Sequence, residues 1–466
     1  MTNGTGQPVR LTPHPLQRVG AFALARLAGV RYPAEVGERE LEDAVRVMHD
    51  DLSRTLEAQD SKDTNGFWLG ASYLFWPNSR VPNTTNRKKL SVPERRDLLR
   101  QWRTLLPPDE VIGVPCALCE QAACGFYGKV DVALGASVNY RNTTPRGHEG
   151  LALCRGCVAS FHALPYGCAI AGGRAATVHA WDDRFLERMV GRQVHMMRQN
   201  AAVGAGQFGD ARPYARQVAA LRLIRAYDDE IHGGLALMVF SNSNKEQTLD
   251  VHSMGQPMAN WVRGIRYQPG MTDGWRYLKR THHTPNVPGL SGLARNLFDR
   301  PRLVTERAVS YLYGLATDLR VPPREALGLA TICLNYATEV LGMEKSDAEE
   351  IRALARRVAG EVSQSSGEFM QFIVAARKLG DLKKWLRGKA ISQVRFGQAP
   401  EPFVSERQWR LLFDAGDTGF LNRDLLLICT LEEVHELDAK WRTDDLAKRS
   451  ELDDDFSDVE DEGWDK

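Results

Sequence analysis

Two short stretches decide how this sequence folds: VPCALCEQAAC at residues 114–124 and LALCRGCVAS at residues 151–160. Each contains a C-x-x-C pair, formed by Cys116 with Cys119 and by Cys154 with Cys157. A two-residue gap lets both thiolates of a pair reach one ion, and two such pairs complete a tetrahedral zinc site. Because four sulfurs leave no coordination position open for water, the spacing predicts a structural rather than a catalytic Zn²⁺.

The other cysteines and one nearby histidine suggest weaker alternatives. Cys124 and His162 lie close enough in sequence to serve as substitute ligands. Redox-active thiols are a further alternative, although two C-x-x-C pairs in one chain more often share a metal. Three cysteines occur in apolar surroundings and are predicted to be small buried residues without a chemical role; these are Cys168, Cys333 and Cys429.

Composition indicates a globular protein with a basic body. The chain has 466 residues, of which 43% are hydrophobic and 26% charged, and this length suggests roughly two to four domains. The last sixteen residues hold nine carboxylates and one lysine, so a net charge of +1 leaves +9 on the remainder. A net charge of this sign and size is compatible with a polyanionic partner such as nucleic acid. The acidic tail, residues 446–466, is predicted to be disordered and to aid solubility, with mimicry of nucleic acid as the alternative.

No segment of the sequence is predicted to be a signal peptide or a membrane span. The most apolar helical run, ALGLATICLNYATEVLGM, is interrupted by Asn335 and Glu339. We therefore expect a cytoplasmic protein, in which paired cysteines favour a metal over disulfides.

Hydrophobic periodicity predicts an α+β fold in which a mixed N-terminal domain with a zinc-knuckle insertion precedes a C-terminal helical bundle. Helices are expected over residues 38–58, after a cap at Ser91, and repeatedly beyond residue 301. Residues 67–90 are expected to form a strand or short apolar turn followed by a long exposed loop, and residues 233–254 a hairpin. The predicted domains are 1–113 (an α/β part), 114–168 (the zinc-knuckle insertion), 169–300 (the remaining α+β domain), 301–445 (the bundle) and 446–466 (the tail).

Three stretches have spaced cations suited to nucleic acid. Residues 376–396 interleave basic residues with aromatic rings, and phosphates favour spaced cations while unpaired bases stack on rings; the candidate contacts are Arg377, Lys378, Lys383, Lys384, Arg387 and Lys389. Two polar loops combine asparagine with basic residues, which can contact base edges; the candidates are Asn78, Arg80, Asn83, Arg87, Lys88 and Lys89 in one loop and Arg141, Asn142 and Arg146 in the other. A solvated helix with a core tryptophan and ordinary loop residues are the alternatives.

Paired knuckles at this separation also scaffold HNH nucleases. Their chemistry requires a histidine beside an acidic or basic partner, and a downstream asparagine, to hold a metal and activate water. Between Cys119 and Cys154 the sequence has one histidine, His148, and no Asp-His pair. We therefore expect no enzymatic activity. A zinc-ribbon HNH-like nuclease and a free-standing zinc-containing nucleic-acid-binding protein are the alternatives.

The order of these features resembles the large subunit of type I-B CRISPR effector (Cascade) complexes, in the branch with a four-cysteine zinc site. The likeness is diffuse over most of the chain. Its sharpest parts are the two cysteine pairs, the sequence Phe-Ser-Asn at Phe240–Asn242 and the sequence Arg-Asp-Leu-Leu at Arg423–Leu426.

The resemblance implies a non-enzymatic subunit of an RNA-guided antiviral complex. Such subunits bind near the 5′ handle of the CRISPR RNA, recognise the protospacer-adjacent motif in duplex DNA and support strand separation. The implied partners are the CRISPR RNA (crRNA), the target double-stranded DNA and its displaced strand, the backbone, handle-binding and small subunits, and a recruited helicase-nuclease. The two asparagine-rich loops would read the motif, and the basic helix would hold DNA. The C-terminal bundle resembles the separate small subunit.

Overall fold

A computed structural model describes residues 9–437, apart from residues 64, 108, 143, 145–146, 204–211, 245, 397–400, 415 and 417. The chain divides into two compact units between Ala259 and Asn260, and the short segment Ile224–Ala226 belongs to the second unit. The domain boundaries expected from sequence stay predictions. The acidic tail, predicted to be disordered, lies outside the described residues.

The first unit is built around a helix that is buried on nearly every side. Its helices are α1 (Pro15–Leu27), α2 (Glu38–Ser53), α3 (Phe67–Phe75), α4 (Thr84–Arg87), α5 (Val92–Arg103), α6 (Arg155–Ala163) and α7 (Asp183–Val203), and α8 (Ala215–Arg225) and α9 (Gln256–Gly264) cross the division. Helix α1 packs against α6 and α7. Its apolar residues face all directions, as expected of a core helix. The cysteine-containing segment joins the same hydrophobic core, through Cys116, Cys154 and Cys157.

Two small antiparallel sheets complete the first unit. Strands β1 (Gly125–Tyr127) and β2 (Leu151–Leu153) form one, while β3 (Ala169–Ala171), β4 (Arg174–Ala180), β5 (Leu235–Asn242) and β6 (Gln247–Met254) form the other in that order. The predicted hairpin is confirmed, since Leu235 pairs with Met254 and Asn242 pairs with Gln247. Among the described residues, β6 has no strand on its outer side. Leu249 and Val251 of β6 are exposed.

The expectation of a strand or short apolar turn followed by a long exposed loop over residues 67–90 is wrong. The apolar run forms α3, in which Trp68 packs on Tyr166 with ring centroids 4.8 Å apart and Phe75 packs edge-on against Phe240 at 5.9 Å. A short run that is apolar on every side lacks the alternation that separates a buried helix from a strand. The following loop is also partly buried because it contains α4, which Asn83 caps.

Two helices of the first unit begin where the sequence indicates. Helix α2 begins at Glu38, with its apolar stripe through Leu41, Met48 and Leu52 buried. Helix α5 follows a capping box in which the Ser91 hydroxyl accepts a hydrogen bond from the backbone of Glu94. Local capping chemistry therefore sets these boundaries.

In the second unit the described secondary structure is helical, apart from an isolated bridge between Thr284 and Val287. Its helices are α10 (Met271–Thr281), α11 (Gly289–Asp299), α12 (Leu303–Thr317), α13 (Pro323–Glu339), α14 (Lys345–Val362), α15 (Ser366–Ala376), α16 (Leu379–Phe396), α17 (Glu406–Phe413) and α18 (Thr418–Glu436). The predicted helical C-terminal region is thus confirmed. Helix α18 packs against α13 and α14, and α10 packs against α13. A Cβ on Gly274 would lie 2.6 Å from the Gly328 oxygen, so glycine permits the close approach of α10 and α13.

Across the described parts of the chain, no helix combines the length and the apolar character that a bilayer crossing requires. The three cysteines predicted to be simple core residues, Cys168, Cys333 and Cys429, are buried, as expected.

Candidate metal centre and nucleic-acid interface

The first cysteine pair lies in a tight knuckle. Pro115 and Ala122 pair in an antiparallel bridge, and the Cys116 amide donates to the Gln121 oxygen at 2.7 Å. Glu120 adopts a φ of 65°, the left-handed conformation that reverses the chain within the knuckle. The reversal lets Cys116 and Cys119 present their sulfurs to the same point.

The second pair lies at a helix N-terminus. Cys154 is the N-cap of α6, and its sulfur accepts a hydrogen bond from the Cys157 amide at 3.4 Å. Free amides and the helix dipole at this end favour negative sulfur. This end of α6 therefore contributes positive potential at the pair, although contact with the other thiols raises the pKa values of both cysteines.

The β1–β2 sheet joins the knuckle to the helix. The Ala117 amide donates to the Ala152 oxygen at 2.8 Å, and the Cys124 amide donates to the Leu153 oxygen at 2.9 Å. As a result, the sulfurs of all four predicted cysteines lie within 4.8 Å of one another. Zinc–sulfur bonds of about 2.3 Å in a tetrahedron put sulfurs about 3.8 Å apart. This four-sulfur cluster, Cys116, Cys119, Cys154 and Cys157, could hold a metal ion.

Electrostatics of the four-sulfur cluster favour a cation. The pKa of Cys116 is lowered because neighbouring thiols donate hydrogen bonds to its sulfur, whereas the pKa values of Cys154 and Cys157 are raised by their bonds to Cys116. Thiols in contact cannot all ionise without a compensating charge. A divalent ion removes that obstacle, so the donor set suits a thiophilic metal.

The two possible substitute ligands have other partners. The Cys124 sulfur lies 3.3 Å from the Tyr127 hydroxyl and 3.4 Å from the Leu153 oxygen. His162 Nε2 lies 2.9 Å from Asp131 Oδ1, and burial lowers the pKa of His162 to about 4. The neutral imidazole therefore donates to the carboxylate. Neither residue belongs to the four-sulfur cluster.

His148, the histidine considered for HNH chemistry, is exposed and stacks on Phe126 with ring centroids 4.3 Å apart. The adjacent Glu149 pairs with Arg141. Among the described residues, the four-sulfur cluster is the one group of three or more potential metal ligands that lie together.

The structure brings the first predicted asparagine-rich loop, residues 78–89, and the start of the loop between β1 and β2 together around the turn between β5 and β6. The Asn244 side-chain amide in this turn donates to the Asn78 side-chain oxygen at 2.6 Å. On the zinc loop (residues 128–150, between β1 and β2), Lys129 Nζ donates to the Ser243 oxygen at 3.0 Å. Asn86 bonds the Asn78 backbone oxygen at 3.4 Å. We name this the turn surface, and its exposed polar residues are Asn78, Arg80, Asn86, Lys88, Lys89 and Asn244.

One buried side chain holds the turn surface together. The Asn242 amide nitrogen donates to the Phe75 and Lys129 backbone oxygens, each at 3.1 Å. Its oxygen accepts from the Leu134 amide at 3.2 Å and from the Gln247 side chain at 2.8 Å. The amide side chain therefore uses its full hydrogen-bonding capacity inside the protein.

Two candidates in the first loop are internal. The Arg87 guanidinium is buried and donates to the Thr55 and Leu56 oxygens at 2.7 Å each. Asn83 is buried and caps α4. Both side chains stabilise the loop from inside, so we do not assign them to the turn surface. In the second loop Arg141 and Asn142 are exposed, while Arg146 lies outside the described residues.

The basic helix α16 has cations in two kinds of environment. Lys384 and Arg387 are exposed on it, as are Arg377 and Lys378 just before it. Lys389 instead pairs with Glu361 at 3.2 Å and with Glu368 at 2.8 Å.

The aromatic rings in and near α16 differ in how far they are exposed to solvent. Lys383 lies over the Trp409 ring, 5.3 Å from its centroid. Trp385 packs on Phe372 at 5.2 Å and is half-buried, which matches the alternative of a core tryptophan, whereas Phe396 is exposed.

Sequence reasoning missed Lys129 and Asn244 as neighbours of the first asparagine-rich loop. The available signal was the polar turn SNSNKEQ inside the predicted hairpin, whose spatial neighbours cannot be deduced from one sequence. In comparisons with known proteins, no family profile and no curated protein matches this chain. The functional argument therefore depends on the sites themselves.

Proposed function

We propose that this protein is the large subunit of an RNA-guided DNA surveillance complex of the Cascade type. In this role it binds the 5′ end of the crRNA, recognises the protospacer-adjacent motif in duplex DNA, supports strand separation and recruits a helicase-nuclease. The other partners would be the backbone, handle-binding and small subunits. The observation that carries the proposal is the turn surface, where an asparagine- and cation-rich loop meets the β5–β6 turn and Lys129 of the loop between the two cysteine pairs.

The metal in this proposal is Zn²⁺, held by Cys116, Cys119, Cys154 and Cys157. Four sulfurs complete its coordination, so the ion acts as a cross-link between the knuckle and α6. The ion would position the zinc loop against the hairpin turn without taking part in a reaction. A structural ion of this kind contributes directly to folding free energy.

The turn surface has the chemistry that motif recognition requires. Asparagine amides and basic side chains contact base edges, and lysines beside them neutralise phosphates. Asn86 and Asn244 each donate a hydrogen bond to Asn78, which gathers three asparagines around one residue. Exposed Arg80, Lys88 and Lys89 flank that cluster in sequence.

The exposed cations of α16 supply a second contact in this proposal. Lys384 and Arg387 have no acidic partner among the described residues and would bind the phosphates of the displaced strand or of duplex DNA. The exposed ring of Phe396 would stack on an unpaired base.

An HNH-like nuclease is the competing function, and a DNA-nicking assay with Mg²⁺ or Mn²⁺ separates the two. The proposal predicts no cleavage by the purified chain. The decisive experiment is reconstitution of the chain with crRNA and backbone subunits, followed by target-duplex binding with and without the adjacent motif. Motif-dependent binding that disappears in R80A/K88A/K89A supports the proposal.

A matched control for that variant is R10A/R39A/R184A, which removes the same charge from exposed positions on other elements of the first unit. Three phosphate contacts contribute about 2.7 to the slope of log K against log salt. We expect the slope to fall by about that amount in the first variant alone. Equal binding and equal slopes in both variants, or cleavage by the isolated chain, would overturn the proposal.

A further inference from the structure

A second basic site lies in the first unit, in a cleft formed by α7, the C-terminal end of α2 and one side chain of α1. The cleft has a volume of about 610 Å³, which is within the usual range of about 300–1,000 Å³ for small-molecule sites. Its polar walls are formed by Arg26, Asp51, Arg54, His195, Arg198 and Gln199. It is built from elements other than the turn surface and α16.

The cations of this cleft outnumber its anions. Arg26 and its neighbour Arg31 share one buried carboxylate, Glu187. Arg54 lies 3.9 Å from Asp51. Arg198 is exposed and forms neither a hydrogen bond nor an ion pair with the described residues. Three guanidinium groups, those of Arg26, Arg54 and Arg198, therefore line the cleft with one carboxylate, Asp51, which leaves an excess of positive charge in the lining.

The shape of the cleft depends on a glycine. A Cβ on Gly191 would lie 2.6 Å from Arg26 Nε and 2.9 Å from one of its terminal nitrogens. The absence of a side chain on α7 therefore lets the Arg26 guanidinium lie directly against that helix. The Nε of Arg26 is buried and has no hydrogen-bond partner among the described residues, so a donor remains unused at the wall of the cleft.

The one carboxylate in the lining is held by a hydrogen bond from inside the protein. The Tyr166 hydroxyl donates to Asp51 Oδ2 at 3.0 Å. Burial raises the pKa of Asp51, although the Tyr166 bond and the nearby Arg198 and Arg54 oppose that rise. The carboxylate is thus part of the wall and faces the same space as the arginines.

We propose that this cleft binds the phosphate group of a nucleotide-sized ligand, either a free nucleotide or a nucleotide of a strand. A guanidinium presents two parallel N–H donors that match two phosphate oxygens, and several guanidinium groups around one space are suited to that geometry. The cleft is larger than a phosphate ion requires, so the remaining volume accommodates the sugar and base. The inference does not depend on the proposed function.

Isothermal titration calorimetry with the full chain tests the inference, using adenosine diphosphate and, separately, a short 5′-phosphorylated single-stranded RNA. We expect R54A/R198A to weaken binding of at least one probe by about tenfold or more, because each guanidinium removed loses a charged hydrogen bond. R184A is a single-charge control, since Arg184 is exposed on the same helix as Arg198 but outside the cleft. It should bind as the wild type does.

The two probes distinguish the two sources of phosphate. Binding of adenosine diphosphate that requires Arg54 and Arg198 indicates a free nucleotide, and binding of the RNA alone with that requirement indicates a strand. A second variant tests the sign of the charge effect: D51N keeps an acceptor for the Tyr166 hydroxyl but removes a negative charge, so it should bind the phosphate probe more tightly. Failure of both probes to bind, or equal weakening in R184A, would overturn the inference.

Discussion

The side-chain nitrogen of Asn242 lies 3.1 Å from the backbone oxygen of Lys129, so the last residue of β5 is tied directly to the zinc loop. The same side chain bonds Phe75 of α3 and Leu134 of the zinc loop. One buried amide therefore fixes three segments that are distant in sequence. The arrangement of the turn surface depends on this contact.

Replacement of Asn242 by alanine should lower the free energy of unfolding of the first unit by about 2–3 kcal/mol, because several buried backbone groups lose their partner. Urea unfolding followed by tryptophan fluorescence measures the change. Asn244→Ala, two residues away in an exposed position, is the control and should stay within about 0.5 kcal/mol of the wild type. Equal effects of the two substitutions would contradict the assigned role of Asn242.

Replacement of Cys154 by serine should abolish binding of the proposed zinc and lower the melting temperature by roughly 10 °C, since a structural ion contributes to folding. Elemental analysis and calorimetry provide the two measurements. Cys124→Ser is the control, because Cys124 lies beside the four-sulfur cluster without belonging to it. It should retain the metal. A Cys154→Ser protein with full zinc content would show that this sulfur is not a ligand.

The buried His162 should make stability depend on pH. Its folded pKa of about 4 lies below the ordinary value of 6.5, so the unfolded chain binds more protons between these values. The contribution of His162 to the free energy of unfolding is therefore fully present above about pH 6.5 and is lost as the pH falls toward about 4. The free energy of unfolding changes by about 3 kcal/mol over this range.

His162→Gln tests this dependence while keeping a side-chain N–H near Asp131. Loss of the proposed zinc in acid would also destabilise the protein, so the informative quantity is the difference between the wild type and the variant at each pH. Urea unfolding across this range should give a flatter profile for the variant. If the free energies of unfolding of the wild type and the variant fall in parallel with pH, a group other than His162 causes the pH dependence.

Substitution of the exposed cations of α16 should weaken DNA binding, whereas substitution of its ion-paired lysine should not. Lys384→Ala with Arg387→Ala should weaken DNA binding and lower its salt slope by about 1.8, the value for two phosphate contacts. Lys389→Ala should leave the slope unchanged, because Lys389 already pairs with Glu361 and Glu368. A fluorescence anisotropy titration at several salt concentrations measures both. A similar loss of slope in the Lys389 variant would contradict this distinction.

The sequence was sufficient for features set by local rules. Helix α5 follows from its cap at Ser91, the β5–β6 hairpin from apolar alternation and a polar turn, and the four-sulfur cluster from the spacing of its cysteines. In each case the residues that determine the structure are neighbours in the chain or form a recurrent ligand pattern.

Features set by distant partners could not be deduced. Arg87 looked like an exposed cation, but the carbonyl groups that bury it come from residues 55 and 56. Lys389 is similarly neutralised by glutamates on other helices. Helix α3 was mistaken for a strand because burial on several sides removes the periodicity that distinguishes the two.

The outer side of β6 has a practical consequence for work with the purified protein. Its backbone donors and acceptors have no strand partner among the described residues, and Leu249 and Val251 project beside them. An open edge of this kind pairs readily with another copy, and the carboxylate of Asp250, between the two apolar residues, is already paired with Arg174. We therefore expect concentrated samples to self-associate, and a lysine at position 249 or 251 should keep them monodisperse.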